Sequence, residues 1–188
     1  MAHVALFHSV YGLRSVERRA ANRLRAAGHH VVAPDLYAGR TGATIEEGFA
    51  LKDRIGWDAI TQRARRAVRD LPAGAVLAGF SMGAGVVQAL LPDRPDAAGV
   101  LLLHGLAAIP AAAALDLPVE LHVADPDPFA PPEHVAAWHS AATAAGADVR
   151  VFTYPGAAHF YTDADLPDHD ARAAALTWRR ALDFLATC

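Results

Sequence analysis

The chain is poor in cysteine, in net charge and in long apolar runs, and each scarcity excludes a class of protein. Its one cysteine is Cys188, the last of 188 residues, so an internal disulfide is impossible and a thiol nucleophile there would have nothing to orient it. The net charge is −3, whereas a nucleic-acid-binding domain needs concentrated positive charge. No apolar run has membrane-spanning length, and no basic, apolar leader is present. We therefore expect a soluble cytoplasmic protein without a nucleic-acid or membrane partner, whose oligomeric state stays open.

Short apolar runs alternate with helical patterns along the whole chain, and 53% of its residues are apolar. This alternation is typical of an α/β fold with a mainly parallel central sheet flanked by helices, because the strands of such a sheet are buried on both faces. No linker or repeat divides the sequence, so we expect a single domain over residues 1–188 with no separate lid. The predicted strands are Val4–Phe7, His30–Ala33, Ala75–Gly79, Gly99–Leu103, Val119–Val123 and Val149–Thr153. The predicted helices are Ser15–Ala27, Trp57–Leu71, Met82–Leu91, Pro132–Ala145 and Ala171–Ala186.

The helix ends and the remaining segments carry further expectations. Ser15 is expected to cap the first helix, Gly28 to stop it, and Asp170 to cap the last one. Residues 37–55 are expected to form an irregular, Gly-rich loop with a short helix. The acid-rich stretch at 163–170 has no known metal-ligand spacing, and the chain has neither a dinucleotide nor a phosphate-loop motif, so we expect no metal and no cofactor.

The pentapeptide Gly-Phe-Ser-Met-Gly at residues 79–83 is the most informative motif of the chain. It lies between a predicted strand and a predicted helix, where a tight turn raises the Ser81 hydroxyl above the edge of the sheet. The turn needs Gly79 and Gly83, because strand and helix approach too closely there for a side chain. This context indicates a nucleophilic serine, which a base and a carboxylate later in the chain must complete.

His159 is the candidate base, because a Pro-Gly loop after the last strand brings it to the sheet edge that carries Ser81. The candidate acid is Asp127 or Asp125, both in the loop after the fifth strand. Asp127 lies deeper in that loop and reaches His159 more easily, while the other aspartate would be a turn residue. Nucleophile, acid and histidine follow one another in the order that acyl-transfer chemistry on this architecture uses.

Acyl transfer also requires donors to the oxyanion that develops on the substrate carbonyl. The turn supplies the backbone N–H of Met82, and the loop after the first strand should supply that of Val10. Four side chains near the strand ends are candidates for the substrate pocket, although each fits the core equally well: Tyr11, Tyr37, His104 and Phe160.

Several segments together resemble the dienelactone hydrolase family of α/β-hydrolases, over nearly the whole chain. They are His-Ser-Val-Tyr-Gly-Leu at 8–13, Val-Ala-Pro-Asp-Leu-Tyr-Ala-Gly-Arg at 32–40, the pentapeptide, Asp-Pro-Phe at 127–129 and Tyr-Pro-Gly-Ala-Ala-His-Phe at 154–160. The resemblance implies a compact α/β-hydrolase fold without a lid. It also implies a triad of Ser81, Asp127 and His159, with Val10 and Met82 as oxyanion donors.

Three positions depart from the enzymes that give this family its name. Those enzymes have a cysteine nucleophile where this chain has Ser81, and a glutamate of their first loop matches Ser9. The arginine that grips the substrate carboxylate matches Asp163, which would repel a carboxylate. The resemblance therefore does not carry dienelactone over as the substrate.

These observations predict a dienelactone-hydrolase-like serine hydrolase that cleaves small esters, lactones or thioesters through an acyl-enzyme on Ser81. The expected lack of a lid favours a shallow pocket and short acyl groups. Two alternatives stay open. One is an acyltransferase or lactone-forming cyclase with the same triad, and the other is a non-catalytic protein of this fold that binds a small ligand. The presence of all three triad members in order favours the enzyme.

Overall fold

The computed structural model describes residues 1–112 and 115–188 and contains a six-stranded sheet in the order β2-β1-β3-β4-β5-β6. The strands are β1 (His3–Phe7), β2 (His30–Val32), β3 (Val76–Phe80), β4 (Gly99–Leu103), β5 (Pro118–Asp125) and β6 (Asp148–Pro155). In the described part of the chain the flanking α-helices are α1 (Ser15–Ala26), α2 (Ile45–Ile55), α3 (Trp57–Val68), α4 (Met82–Leu90), α5 (Pro132–Ala144) and α6 (Ala171–Thr187). A 3-10 turn at Leu91–Asp93 follows α4.

All strand pairs in the sheet are parallel, which confirms the predicted α/β architecture. Phe7 pairs with Gly79 and Phe80 pairs with Leu103, so the carboxyl ends of β1, β3 and β4 lie side by side. The direction of strand succession reverses at β1, which has β2 on one side and β3 on the other. Ligands bind at this edge of such sheets, and the loops leaving β1, β3, β5 and β6 there carry the candidate site residues.

Side chains of the central strands alternate between two buried layers. Phe7 and Leu77 cluster with Ile60 of α3 on one face of the sheet. Leu6 clusters with Leu24 of α1 on the other face. Each of these five side chains is at most 1% exposed, and each contributes about 1.5–3 kcal/mol by leaving water. Burial on both faces is the physical reason for the unbroken apolar runs in the strands.

The segment expected as an irregular loop with a short helix contains an eleven-residue helix, α2. The Thr44 hydroxyl caps it by accepting the N–H of Glu47 at 3.2 Å, and Gly56 ends it with φ 84°. Gly48 packs this helix onto the loop after β1, since a Cβ there would lie 2.7 Å from the carbonyl oxygen of Val10. The helix therefore forms part of the wall around the carboxyl edge of the sheet.

The expected cap of α1 is wrong. Ser15 is the first helical residue rather than the cap, and its hydroxyl donates to Asp165 Oδ2 at 2.5 Å. Arg14 occupies the cap position, and its backbone N–H donates to Glu17 Oε2 at 3.0 Å. The sequence does not indicate that Arg14 is the cap, because serine is a much more common capping residue than arginine.

The other predicted strands and helices are confirmed, with ends that shift by at most three residues. Asp170 caps α6 as expected, since its Oδ1 accepts the N–H groups of Arg172 and Ala173, both at 2.9 Å. Gly28 follows α1 with φ 91°, a left-handed conformation that favours glycine. None of the helices in the described ranges combines the length and apolar character that crossing a bilayer requires.

Candidate active site

Ser81 lies in a strained turn between β3 and α4. Its φ of 47° and ψ of −107° cost on the order of 1–3 kcal/mol of conformational strain, and the surrounding contacts must offset this cost. A Cβ on Gly79 would collide with the backbone of Gly83, and one on Gly83 would lie 2.5 Å from the carbonyl oxygen of Phe7. The N–H of Ser81 donates to the carbonyl oxygen of Leu103 at 2.7 Å. The two glycines therefore let β3, α4 and the end of β1 pack closely enough to present the serine at the sheet edge.

The side chains of Ser81, His159 and Asp127 form a continuous hydrogen-bonded chain. Ser81 Oγ lies 3.0 Å from His159 Nε2, and His159 Nδ1 lies 2.7 Å from Asp127 Oδ2. The imidazole is 5% exposed and the carboxylate is fully buried. Because a carboxylate can only accept, this geometry assigns the proton of the imidazole to Nδ1 and leaves Nε2 free to accept the serine proton. The structure thus brings together the three side chains expected as nucleophile, base and acid.

Two loops hold the acid and the histidine in this arrangement. Asp127 Oδ1 accepts the N–H of Phe129 at 2.9 Å, and its carbonyl oxygen accepts that of Ala130 at 3.2 Å. Gly156, with φ 78°, begins the histidine loop and donates to the carbonyl oxygen of Asp125 at 2.7 Å. Asp125, the alternative acid, ends β5 and lines a separate cavity of about 370 Å³ between α5 and the sheet. It is therefore Asp127 and not Asp125 that contacts the imidazole.

The two expected oxyanion donors belong to neighbouring elements. Met82 is the first residue of α4, so its N–H has no acceptor within the helix. Val10 lies in the loop after β1, which a hydrogen bond of 3.1 Å from the N–H of Gly12 to the carbonyl oxygen of Ser9 closes into a tight turn. Gly48 of α2 holds that loop from outside. The loop and the positive end of the α4 dipole face the same edge of the sheet, where a developing negative charge is favoured.

A buried carboxylate that the sequence analysis missed supports the same loop. Glu17 of α1 is 3% exposed and accepts the Ser9 hydroxyl at 3.0 Å and the N–H of Arg14 at 3.0 Å. Burial raises the pKa of Glu17, and the nearby Arg14 guanidinium and these hydrogen bonds oppose the shift. Arg14 in turn forms an ion pair with Asp163. A glutamate in the first turn of a helix gives no sign in the sequence that it faces inward.

An open pocket of about 470 Å³ lies beside His159. Tyr11 and Phe160, two of the candidate pocket residues, both line it, and their rings meet edge to face at 5.3 Å. Phe129 and Ile45 line it too, although the sequence alone does not mark them as pocket residues. Phe129 follows the expected acid within two residues, which was the one available signal.

Tyr37 and His104, the other two candidates for the substrate pocket, do not line this pocket and lie buried beneath the site. Tyr37 is fully buried, and its hydroxyl donates to Met82 Sδ at 3.1 Å. His104 is 1% exposed and its Nε2 lies 2.7 Å from Thr162 Oγ1. Burial lowers the pKa of His104 well below its usual value, so its ring is neutral. The chain turns at His104 with φ 64°, and its ring packs into the core against the ring of Tyr161.

Within the described residues, no group of three His, Cys, Asp or Glu side chains is arranged to hold a metal ion. The acid-rich stretch that precedes α6 makes contacts with α1 and with the histidine loop. Asp165 accepts from Ser15 and from Arg19, and Asp168 Oδ2 accepts the N–H of Phe160 at 3.0 Å.

The chain matches the model of the "Dienelactone hydrolase family" over residues 2–188. No curated protein sequence matches it. A dienelactone hydrolase-like promiscuous phosphotriesterase from metagenomic libraries is similar in structure, with a TM-score of 0.79 and 21% identity over 99% of this chain and 86% of that chain. A structure reported for the metagenome-derived lipolytic enzymes LipS and LipT has a TM-score of 0.71 and 17% identity, over 100% and 94% of the two chains. Esterase 2 of Thermogutta terrifontis, phosphonylated by cyclosarin, has a TM-score of 0.68 and 17% identity, over 98% and 82%.

Proposed function

The chain belongs to the dienelactone hydrolase family, and we propose that it is a serine hydrolase that cleaves small esters, lactones or thioesters through an acyl-enzyme on Ser81. The observation that carries the proposal is the hydrogen-bonded chain from Ser81 through His159 to Asp127, at the carboxyl edge of the sheet and beside an open pocket. The family supports a hydrolase. Structural neighbours described as esterases and a phosphotriesterase support an ester-like substrate.

In the first half-reaction His159 takes the hydroxyl proton of Ser81 while Oγ attacks the carbonyl carbon of the substrate. Asp127 accepts the hydrogen bond from the Nδ1–H of His159 throughout and stabilises the imidazolium that forms. The carbonyl oxygen becomes negatively charged, and the backbone N–H groups of Met82 and Val10 are its proposed donors. The imidazolium then gives its Nε2 proton to the leaving alcohol or thiol, and the acyl group stays on Ser81.

In the second half-reaction water takes the place of the leaving group. His159 removes a proton from the water, the resulting hydroxide attacks the acyl carbon, and the same donors stabilise the second oxyanion. The imidazolium returns the proton to Ser81 Oγ as the acid product leaves, so the enzyme is regenerated. If an alcohol replaces water in this step, the same groups carry out acyl transfer or close a lactone.

The first experiment combines labelling and turnover. Wild type should react with a fluorophosphonate probe and hydrolyse p-nitrophenyl acetate and a phenyl thioacetate, and Ser81→Ala should lose both activities. Ser140→Ala is the matched control, because Ser140 lies on α5, where its Oγ donates to the carbonyl oxygen of Ala136. A wild type that neither labels nor turns over would refute the enzyme and favour a ligand-binding role. Product partitioning with an added alcohol separates hydrolysis from acyl transfer.

A further inference from the structure

The open pocket adjoins His159, the base of the proposed mechanism. His159 Nε2 is the atom that would return a proton to the leaving oxygen, and residues 156–160 form one wall of the pocket. The inference below rests on the proposed function, because it concerns the alcohol half of the ester that the site would cleave.

Aromatic side chains form part of the wall and rim of this pocket. The Phe129 ring lies 4.5 Å from the His159 ring between centroids and is 51% exposed. Phe49 of α2 lies 6.5 Å from Phe129 and is 40% exposed. An apolar cavity of about 150 Å³ is enough to bind benzene, so a volume of about 470 Å³ holds an aromatic ring with a substituent. Large exposed aromatic side chains beside an open pocket mark a place where an apolar group of a ligand is buried.

The charge of the pocket has one sign. Asp168 is the one carboxylate, and no Lys or Arg is present, among the described residues that line it. The Arg14 guanidinium lies 4.3 Å from the centroid of the Tyr11 ring, and it is ion-paired with Asp163. Burial raises the pKa of Tyr11, Arg14 opposes the rise, and Asp168, Asp163 and Glu46 add to it. The pocket therefore presents aromatic faces and an uncompensated negative charge to whatever enters it.

We propose that this pocket binds the aromatic alcohol portion of uncharged or cationic esters, and that Asp168 excludes esters whose leaving group carries a negative charge. The carboxylate of Asp168 is fixed by its bond from the N–H of Phe160, the residue that follows the base. A negative group in the pocket would meet that carboxylate without a cation to balance it, whereas a trimethylammonium group would meet the carboxylate and aromatic faces that bind such cations.

The test uses three phenyl acetates that differ only in the para substituent: methoxycarbonyl, carboxylate and trimethylammonium. Each kcat/KM is divided by the rate of hydroxide-catalysed hydrolysis of the same ester, which removes the effect of leaving-group acidity. For wild type we expect the normalised kcat/KM of the carboxylate ester to be lower than that of the methoxycarbonyl ester by on the order of tenfold. This is the size of the repulsion between two charges across a partly solvated pocket. The trimethylammonium ester should equal or exceed the methoxycarbonyl ester.

Asp168→Asn keeps an oxygen that can accept from Phe160 and removes the charge. We expect this substitution to raise the normalised kcat/KM of the carboxylate ester and to lower that of the trimethylammonium ester. Each change, relative to the neutral ester, should be several-fold. A purely structural role would not move these two ratios in opposite directions. Asp165→Asn is the matched control, because Asp165 is bonded to Ser15 and Arg19 outside the pocket, and its ratios should stay within about twofold of wild type.

The possible outcomes separate this inference from the proposed function. Equal normalised rates for all three esters in wild type, or ratios unchanged in Asp168→Asn, would overturn the pocket assignment while leaving the serine hydrolase intact. If wild type neither labels nor hydrolyses any ester, the proposed function fails. Calorimetric binding of the three corresponding phenols then still tests the pocket. Binding of the neutral and cationic phenols but not the carboxylate supports the inference, and binding without charge preference overturns it.

Discussion

Replacement of Asp127 by asparagine tests the proposed acid with almost no change of shape. Asp127 Oδ1 accepts the N–H of Phe129 at 2.9 Å, and Oδ2 faces His159 Nδ1 at 2.7 Å. An asparagine has one acceptor oxygen, which the Phe129 N–H holds at the Oδ1 position, so its NH2 group points at Nδ1. Nδ1 must then accept, the ring proton moves to Nε2, and the imidazole presents an N–H to Ser81 instead of a lone pair.

The loss of activity follows from what it costs to restore the active tautomer. Turning the amide leaves the partly buried Phe129 N–H against an NH2 group, and an unsatisfied donor costs about 1–3 kcal/mol. The charged acceptor that stabilises the imidazolium is also lost, which costs about 1.5–3 kcal/mol more. Because each 1.36 kcal/mol is a factor of ten in rate, we expect kcat for p-nitrophenyl acetate to fall by about a hundredfold to ten-thousandfold.

The assay measures kcat and the rate of fluorophosphonate labelling for Asp127→Asn and for Asp125→Asn, with thermal unfolding as a check on the fold. Asp125 is the matched control, because it lies two residues away and does not contact the imidazole. We expect Asp125→Asn to stay within about threefold of wild type, the scatter of a substitution outside the site. Activity of Asp127→Asn within tenfold of wild type, or an equal loss in Asp125→Asn, would refute the argument.

Substitutions at three further positions test the supporting structure. Burial lowers the pKa of His8 from 6.5 to about 4, so between these pH values the unfolded chain binds a proton that the folded chain does not, and the free energy of unfolding should fall by about 3 kcal/mol as the pH drops from about 6.5 to 4. In His8→Gln, urea unfolding across this range should lack this fall, and an unchanged pH dependence would contradict the argument. Gly83→Ala places a Cβ 2.5 Å from the carbonyl oxygen of Phe7, so we expect about 1–3 kcal/mol of destabilisation and slower labelling of Ser81, and an unchanged Tm and labelling rate would refute the close packing. Asp170→Ala removes the cap of α6 and should cost about 1 kcal/mol in urea unfolding, whereas Asp170→Asn should retain most of the stability.

The sheet and the candidate site could be predicted from the sequence because both depend on local patterns. Strands buried on both faces are unbroken apolar runs, and a serine between two glycines at a strand end indicates a tight turn. His159 was predicted from its position after the last strand in the same way. The choice between Asp125 and Asp127 depended on how a short loop turns, and loop direction is set by hydrogen bonds such as the one from Phe129 rather than by composition.

The parts that escaped prediction depend on contacts between distant segments. Helix α2 was underestimated because Gly48 lowers its helical character, and the gain that offsets this is its close packing on Val10. Ile45 and Asp168 belong to opposite ends of the chain and share one pocket only through the fold. Tyr37 and His104 follow strands in the sequence, and this position suggests the pocket. Both side chains are instead buried beneath the site.

The charged residues near the site differ most between what the family resemblance implies and what the structure shows. The resemblance matches Ser9 to a glutamate of the family's namesake enzymes. In this structure Glu17 of α1 accepts the Ser9 hydroxyl and places a buried carboxylate beside the same loop. The resemblance also matches Asp163 to an arginine of those enzymes, and the sequence alone predicts that this aspartate repels a carboxylate substrate. In the fold its charge is matched by Arg14, so that repulsion cannot be assigned to it. Asp168, which lines the pocket without a basic side chain beside it among the described lining residues, is the group that can exert it. If the proposal for the pocket holds, carboxylate substrates are still disfavoured, but through Asp168 rather than Asp163.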